Sequence, residues 1–245
     1  SWSDRTPLHE AAYQGRLLHL RSLISQGLHV DTLTMDRVSP LHEACLGGHY
    51  ACAKFLLDHG ANAEAVSTDG ATPLFNSCSS GSAACVRLIL QHRASINTPD
   101  LLASPIHEAA KKHRECLELL LSYGAHIDME LPVMGTPLYS ACVAQAVSCV
   151  RLLLHSADVQ IGCGQDSPLH AAVRAGGADV VDLLMDFGAD ACCRNVEGKT
   201  PQDLSLRTLS QLCRTCIRRS LGRNRLHRAS SLFLPHTIKD FLLYR

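Results

Sequence analysis

Residues 6–12 read "TPLHEAA". Near copies begin at Ser39 (SPLHEAC), Thr72 (TPLFNSC), Ser104 (SPIHEAA), Thr136 (TPLYSAC) and Ser167 (SPLHAAV), and Thr200 opens a seventh, TPQDLSL. The prolines stand at 7, 40, 73, 105, 137, 168 and 201, a period of 31 to 33 residues. Self-similarity at a fixed period of this length marks a stacked array, in which no unit buries its apolar face without its neighbours.

Each unit carries the same instructions. Thr or Ser is placed to cap a helix, and Pro follows at the first helical position, where its missing N–H costs nothing. A short helix, a turn often containing Gly ("LGGH", 46–49) and a second, Leu-rich helix follow ("CAKFLLDHG", 52–60), with Gly60 placed as a helix stop. The pattern resembles the ankyrin repeat, whose signature is T-P-L-H, over residues 4 to about 203. The resemblance implies an all-α solenoid of about six helix pairs plus a truncated seventh, with hairpin-like loops along one edge. Three places depart from the pattern and are expected to be strained or irregular. "KKHRE" (111–115) lacks the turn Gly, "HSADV" (155–159) shortens a helix end, and Arg93 stands where Gly is usual.

Composition fits such an array. Of 245 residues, 46% are hydrophobic but only 4% aromatic, so the core must be built from Leu, Ala, Val and Cys. No apolar run approaches the ~18–20 residues of a membrane span, and no signal-peptide pattern is present. The twelve Cys recur mostly at two repeat positions: Cys45 and Cys52, Cys78 and Cys85, Cys142 and Cys149, with Cys116 at the second. Ala12 and Ala110 replace Cys at the first, so these thiols read as small buried hydrophobes of a reducing, intracellular and cytoplasmic protein.

His9, His42, His107 and His170 recur at one position, where Phe75 and Tyr139 also stand. A metal ladder would not admit Phe, so each His is expected to bond to backbone between repeats. Cys213 and Cys216 form C-x-x-C, but Cys192, Cys193, His227 and His236 do not complete any common zinc spacing. No phosphate loop, nucleophile elbow or H-E-x-x-H is present, so neither enzyme chemistry nor a cofactor is indicated.

The C-terminus breaks the repeat and reverses the charge. Residues 207–245 hold nine Lys and Arg against Asp240, a charge of +8, which leaves −8 on residues 1–206 of a chain that is neutral in total. "TLSQLCRTCIRRSLG" (208–222) predicts a helix capped by Thr208 and Gln211, stopped at Gly222. Leu209, Leu212, Cys213, Cys216, Ile217 and Leu221 form one apolar stripe, with Arg214, Arg218 and Arg219 off it. A basic nucleic-acid tail fits poorly, because the segment has few aromatics and a true apolar stripe. A helix that only caps the solenoid is the alternative.

"TLSQLCRTCI" resembles the elongin-binding box, small-L-x-x-x-C-x-x-x-aliphatic, at Thr208, Leu209, Cys213 and Ile217. "LFLPHTIKDFLLY" (232–244) resembles the cullin-binding half of the same module, the SOCS box, with Thr237 at the place of its usual second Pro. Ankyrin repeats followed by this box define the ankyrin-repeat and SOCS-box family, and "DRVSPLHEACLGGH" and "GTPLY" look close to its members five, nine and eleven. The resemblance divides the chain into an array (1–206) and a box (207–245), the latter with an elongin segment (208–222) and a cullin segment (232–243). It implies a non-catalytic adaptor of a ubiquitin ligase, without nucleic-acid or membrane partners. Elongin C, with elongin B, would bind Leu209, Leu212, Cys213 and Ile217. Cullin-5, with its RING protein, would bind Leu234, Pro235 and Ile238. A substrate protein would meet the loop tips: Asp36, Arg37, Asp69, Leu101, Leu102, Val133, Met134, Gln165 and Asp166. The apolar pairs 101–102 and 133–134 stand where loop tips are usually polar. Only Gln202–Arg207 separate Pro201 from Thr208, too few for the second helix of a seventh repeat, so the box helix is expected to pack on the last repeats or to be loosely coupled to them.

Overall fold

The computed structural model describes residues 4–97 and 104–204. Leu101, Leu102, Cys213, Cys216 and all the residues assigned to elongin and cullin lie outside the described residues.

The helices come in pairs. The inner helices are α1 (Pro7–Tyr13), α3 (Pro40–Leu46), α5 (Pro73–Ser80), α7 (Pro105–Ala110), α9 (Pro137–Val143) and α11 (Pro168–Ala175). The outer helices are α2 (Leu17–Ser25), α4 (Tyr50–Asp58), α6 (Ala83–Gln91), α8 (Arg114–Ser122), α10 (Val147–Leu153) and α12 (Ala178–Asp186). The short α13 (Pro201–Leu204) lies beside α11 as α11 lies beside α9, so a seventh inner helix begins in its expected place. Among the described residues, no helix is long and apolar enough to cross a membrane.

The caps do what the sequence predicts in most units, whereas the Ser104 hydroxyl accepts no backbone N–H. Ser39, Thr72, Thr136 and Ser167 accept from the backbone N–H three residues on, at 3.2–3.4 Å. The leucine after each Pro, replaced by Ile106 in the fourth repeat, is at most 1% exposed, as in Leu8, Leu41, Leu74, Leu138 and Leu169. Full burial of one such side chain contributes about 1.5–3 kcal/mol. The seven repeat-position cysteines are all buried. Burial pushes their thiols up, that of Cys116 to about 11, so they are inert packing groups.

The recurring His residues join one repeat to the next. Nδ1 of His9, His42, His107 and His170 lies 2.8–2.9 Å from the hydroxyl of its own Thr or Ser cap. Nε2 lies 2.8–3.0 Å from a carbonyl of the following loop: Val38, Ala71, Gly135 and Lys199. Tyr139 replaces this link by donating from its hydroxyl to Asp166 Oδ2 at 3.0 Å.

Of the three expected irregularities, only Arg93 is strained, with φ +60°. The other two places adopt no left-handed residue. The chain instead shortens the helices, α7 to six residues, against seven or eight in the other inner helices, and α10 to seven, against nine in the other outer helices. Two strained residues went unforeseen. Arg37 (φ +59°) occupies the hairpin-tip position of Gly70 and Gly198, and Gln145 (φ +56°) the turn position of Gly15, Gly48, Gly81 and Gly176.

Candidate protein-binding surface

The loops between helix pairs are tied edge to edge. Thr68 donates its backbone N–H to the Asp36 carbonyl at 2.9 Å, and Thr136 to that of Gly162 at 2.9 Å. Leu131 and Gly135 close one hairpin tip, and Cys163 and Asp166 another. Below the tips, side-chain acceptors of one repeat hold backbone N–H groups of the next: Asp31 to Asn62 at 3.0 Å, Asp128 to Asp158 at 3.0 Å, and Gln160 to Asp190 at 3.1 Å. Loop tips built this way form a pre-ordered row, which lowers the entropy cost of binding a partner.

Asp36, Arg37, Asp69 and Gln165 are exposed on this row. Val133 is 83% exposed, while Met134 is half-buried and its carbonyl accepts from Ser140 Oγ at 2.9 Å.

Asp166 is differently employed. Its carboxylate accepts from Tyr139 Oη (3.0 Å), both Arg174 Nη atoms (2.8 and 3.1 Å) and Asn195 Nδ2 (3.2 Å). Burial alone would raise this carboxyl, but the hydrogen bonds from Arg174, Asn195 and Tyr139 hold it below the usual carboxylate range. Asp166 therefore clamps the fifth, sixth and seventh units together, and its oxygens are already occupied.

The structure adds a feature that the sequence reading missed. Asp31, Leu33, Arg37, Asn62, Ala65 and Val66 line a cleft of about 130 Å³ between the first two loops. Met35 is 84% exposed near it, and Leu33 and Val66 are 48% and 41% exposed. The signal was present in "TLTMDR" (32–37), where apolar residues alternate through a connecting loop. Exposed apolar groups beside a cleft, rimmed by polar residues, are the usual form of a protein-binding patch.

Comparison with known proteins agrees with this architecture. The family model "Ankyrin repeats (3 copies)" matches residues 2–67, 60–131, 101–162 and 128–195, and "SOCS box" matches 205–243. Ankyrin repeat and SOCS box protein 11 of Danio rerio is 62% identical, covering 100% of this chain and 88% of its own length. Ankyrin repeat and SOCS box protein 5 of Oryctolagus cuniculus is 56% identical, covering 100% and 80%. The zebrafish alignment runs over 259 positions against 245 residues here, so that relative carries at least 14 residues without a counterpart in this chain. The crystal structure of the human ASB11 ankyrin repeat domain superposes with a TM-score of 0.80 at 47% identity, covering 98% of this chain and 97% of that one. The ankyrin repeat domain of Bcl-3 gives 0.67 at 30% identity, covering 86% and 98%.

Proposed function

This chain belongs to the ankyrin repeat and SOCS box family, and on that premise we propose that it is the substrate-recognition adaptor of an elongin B/C–cullin-5–RING ubiquitin ligase. The observation that carries this reading is the order of the two modules: an ankyrin array with a match to the SOCS box at residues 205–243 behind it.

The division of labour follows. The array (1–206) holds a target protein on its loop row, through Asp36, Arg37 and Asp69 near the first cleft and Val133, Met134 and Gln165 farther along. The box (207–245) binds elongin C, with elongin B attached, through Leu209 and Cys213, supported by Leu212 and Ile217. Such central apolar anchors dominate interfaces, and burying Leu209 contributes roughly 1.5–3 kcal/mol. Leu234, Pro235 and Ile238 meet cullin-5. The bond-forming chemistry belongs to the recruited conjugating enzyme. This chain raises the effective concentration of target lysines near it, by proximity and orientation.

The test is co-expression with elongin B and elongin C followed by size-exclusion chromatography. The wild type is expected to elute as a stoichiometric complex, and a folded Leu209→Ala/Cys213→Ala variant is not. A wild type that never co-elutes overturns the ligase reading and leaves an ankyrin scaffold whose last helix is a cap.

A further inference from the structure

Leu33 and Val66 hold the same repeat position, six residues before the caps Ser39 and Thr72. Thr98, Glu130, Ile161 and Arg194 fill it farther along, so only the first two loops offer successive apolar residues there. With Ala65 they wall the cleft of about 130 Å³ between the loops. Apolar voids of this order hold one benzene-sized group, so the cleft is sized for a single apolar side chain.

Met35 stands beside the cleft at 84% exposure, and its backbone is tied down. Its N–H donates to Asp4 Oδ2 at 2.6 Å. Around it, the Thr34 N–H donates to the Val38 carbonyl at 3.0 Å and the Arg37 N–H to the Thr34 carbonyl at 2.9 Å. An apolar side chain presented to solvent on a held backbone binds a partner without a large loss of loop entropy.

Charge narrows the occupant. The two loops (28–38 and 61–71) carry Asp31, Asp36, Glu64 and Asp69 against Arg37, a charge of −3. Asp36, Glu64 and Asp69 are exposed. The outer helices of the first three units, with the residues flanking them, carry Arg16, Arg21, Lys54, Arg87 and Arg93 against Asp58, a charge of +4. The negative charge therefore belongs to the loop edge and not to these units as a whole. An apolar cleft rimmed by one sign of charge concentrates the opposite sign.

We propose that this cleft is the docking point for a basic segment of the target protein, with one apolar side chain seated between Leu33 and Val66 and Lys or Arg flanking it toward Asp36 and Asp69. The proposal rests on the reading of the array as the target-binding part. Arg37 serves by its methylene stem, which walls the cleft, and not by its charge. The apolar contacts hold the segment, and the acidic rim steers it and selects against acidic competitors.

Random linear peptides displayed on phage, panned on the full chain, test this. Enriched peptides are then titrated by fluorescence polarisation at two salt concentrations. They are expected to combine a Leu, Met or aromatic residue with Lys or Arg, and to bind more weakly at the higher salt. Val66→Lys and Met35→Ser should each weaken binding by about tenfold or more at unchanged melting temperature. Asp69→Lys should weaken it and reduce its salt dependence. Arg37→Gln should tighten it, by up to about fivefold. Arg87→Glu, on α6, should leave it unchanged. Enrichment of acidic peptides, or a weakening by Arg37→Gln, means that Arg37 pairs with a carboxylate and overturns the proposal. So does failure to enrich, or binding indifferent to both Val66→Lys and Met35→Ser. Tightening by Arg87→Glu overturns it as well, because total charge and not the cleft would then decide. Elongin co-elution is read separately. Peptide capture by a chain that binds no elongin upholds the docking point and sinks the ligase reading, and an elongin complex without cleft-dependent capture does the reverse.

Discussion

Nε2 of His42 lies 3.0 Å from the carbonyl oxygen of Ala71, in the loop one repeat further on. Nδ1 faces two groups of its own cap, the Ser39 hydroxyl at 2.9 Å and the Ser39 backbone N–H at 3.1 Å. Because that N–H can only donate, Nδ1 must accept, and the ring is neutral with its proton on Nε2.

Burial drives the His42 pKa down to about 4, against the bond to Ala71, and also lowers His9 and His107. Between pH 4 and the unfolded value of 6.5, the unfolded chain binds more protons than the folded one. The stabilising contribution is present above pH 6.5 and is lost as pH falls toward 4. His42 alone accounts for on the order of 3 kcal/mol of this loss. Urea unfolding should give a flat stability from pH 8 to 7 and a falling one below 6.5. Equal midpoints at pH 7.5 and pH 5 would refute the neutral-ladder account.

Arg93 holds φ +60° in the place where Gly27, Gly60, Gly124 and Gly188 lie between +83° and +99°. Its side chain is exposed. Arg93→Gly relieves the left-handed strain and should stabilise by about 0.5–1 kcal/mol after the added unfolded-state entropy is subtracted. Thermal melting should show a rise of about 2–4 °C. Gln145→Gly should not do so, despite its φ of +56°. Gln145 Nε2 donates to the Cys142 carbonyl at 2.9 Å, and its amide fills the space against Gly177, where a Cβ would come within 1.1 Å of it. An equal rise for both substitutions would show that Gln145 contributes only strain.

Arg5 donates from Nε to Glu43 Oε1 at 2.9 Å, with a second contact from Nη2 to Oε2 and the Tyr13 ring 5.0 Å below. Glu43 is 4% exposed. Glu43→Ala removes one member of a buried pair and should cost about 3 kcal/mol. Arg5→Met combined with Glu43→Leu should cost less than the sum of the single changes. Additivity in that double-mutant cycle would mean that the pair is not coupled.

Val133 and Asp166 both belong to the connecting loops but should separate by readout. Val133→Asp should leave stability within about 0.5 kcal/mol, because the side chain stands in solvent. Asp166→Ala releases Tyr139, Arg174 and Asn195 together and should cost about 1–3 kcal/mol. Capture of a target protein should fall for Val133→Asp at unchanged melting temperature. A matching fall in melting temperature would make Val133 a packing residue.

The sequence alone determined the repeat, its caps, the buried Leu and Cys positions and the sites of the His links. These are local decisions, repeated every 31 to 33 residues, and a one-dimensional stack needs little else. The box was legible for the same reason, since its stripe and spacing are linear. What the sequence did not determine depends on neighbours in space. Arg37 and Gln145 enter left-handed backbone because the loop and turn geometry of the stack demands it there, while the fourth unit at its inter-helix turn and the fifth at the end of its outer helix avoid it by shortening a helix. Asp166 reads as a loop-tip ligand in one dimension. Only the stacking of three units converts it into a clamp, because Tyr139, Arg174 and Asn195 are 27 residues before it and 8 and 29 after it, and meet at one carboxylate only in the fold.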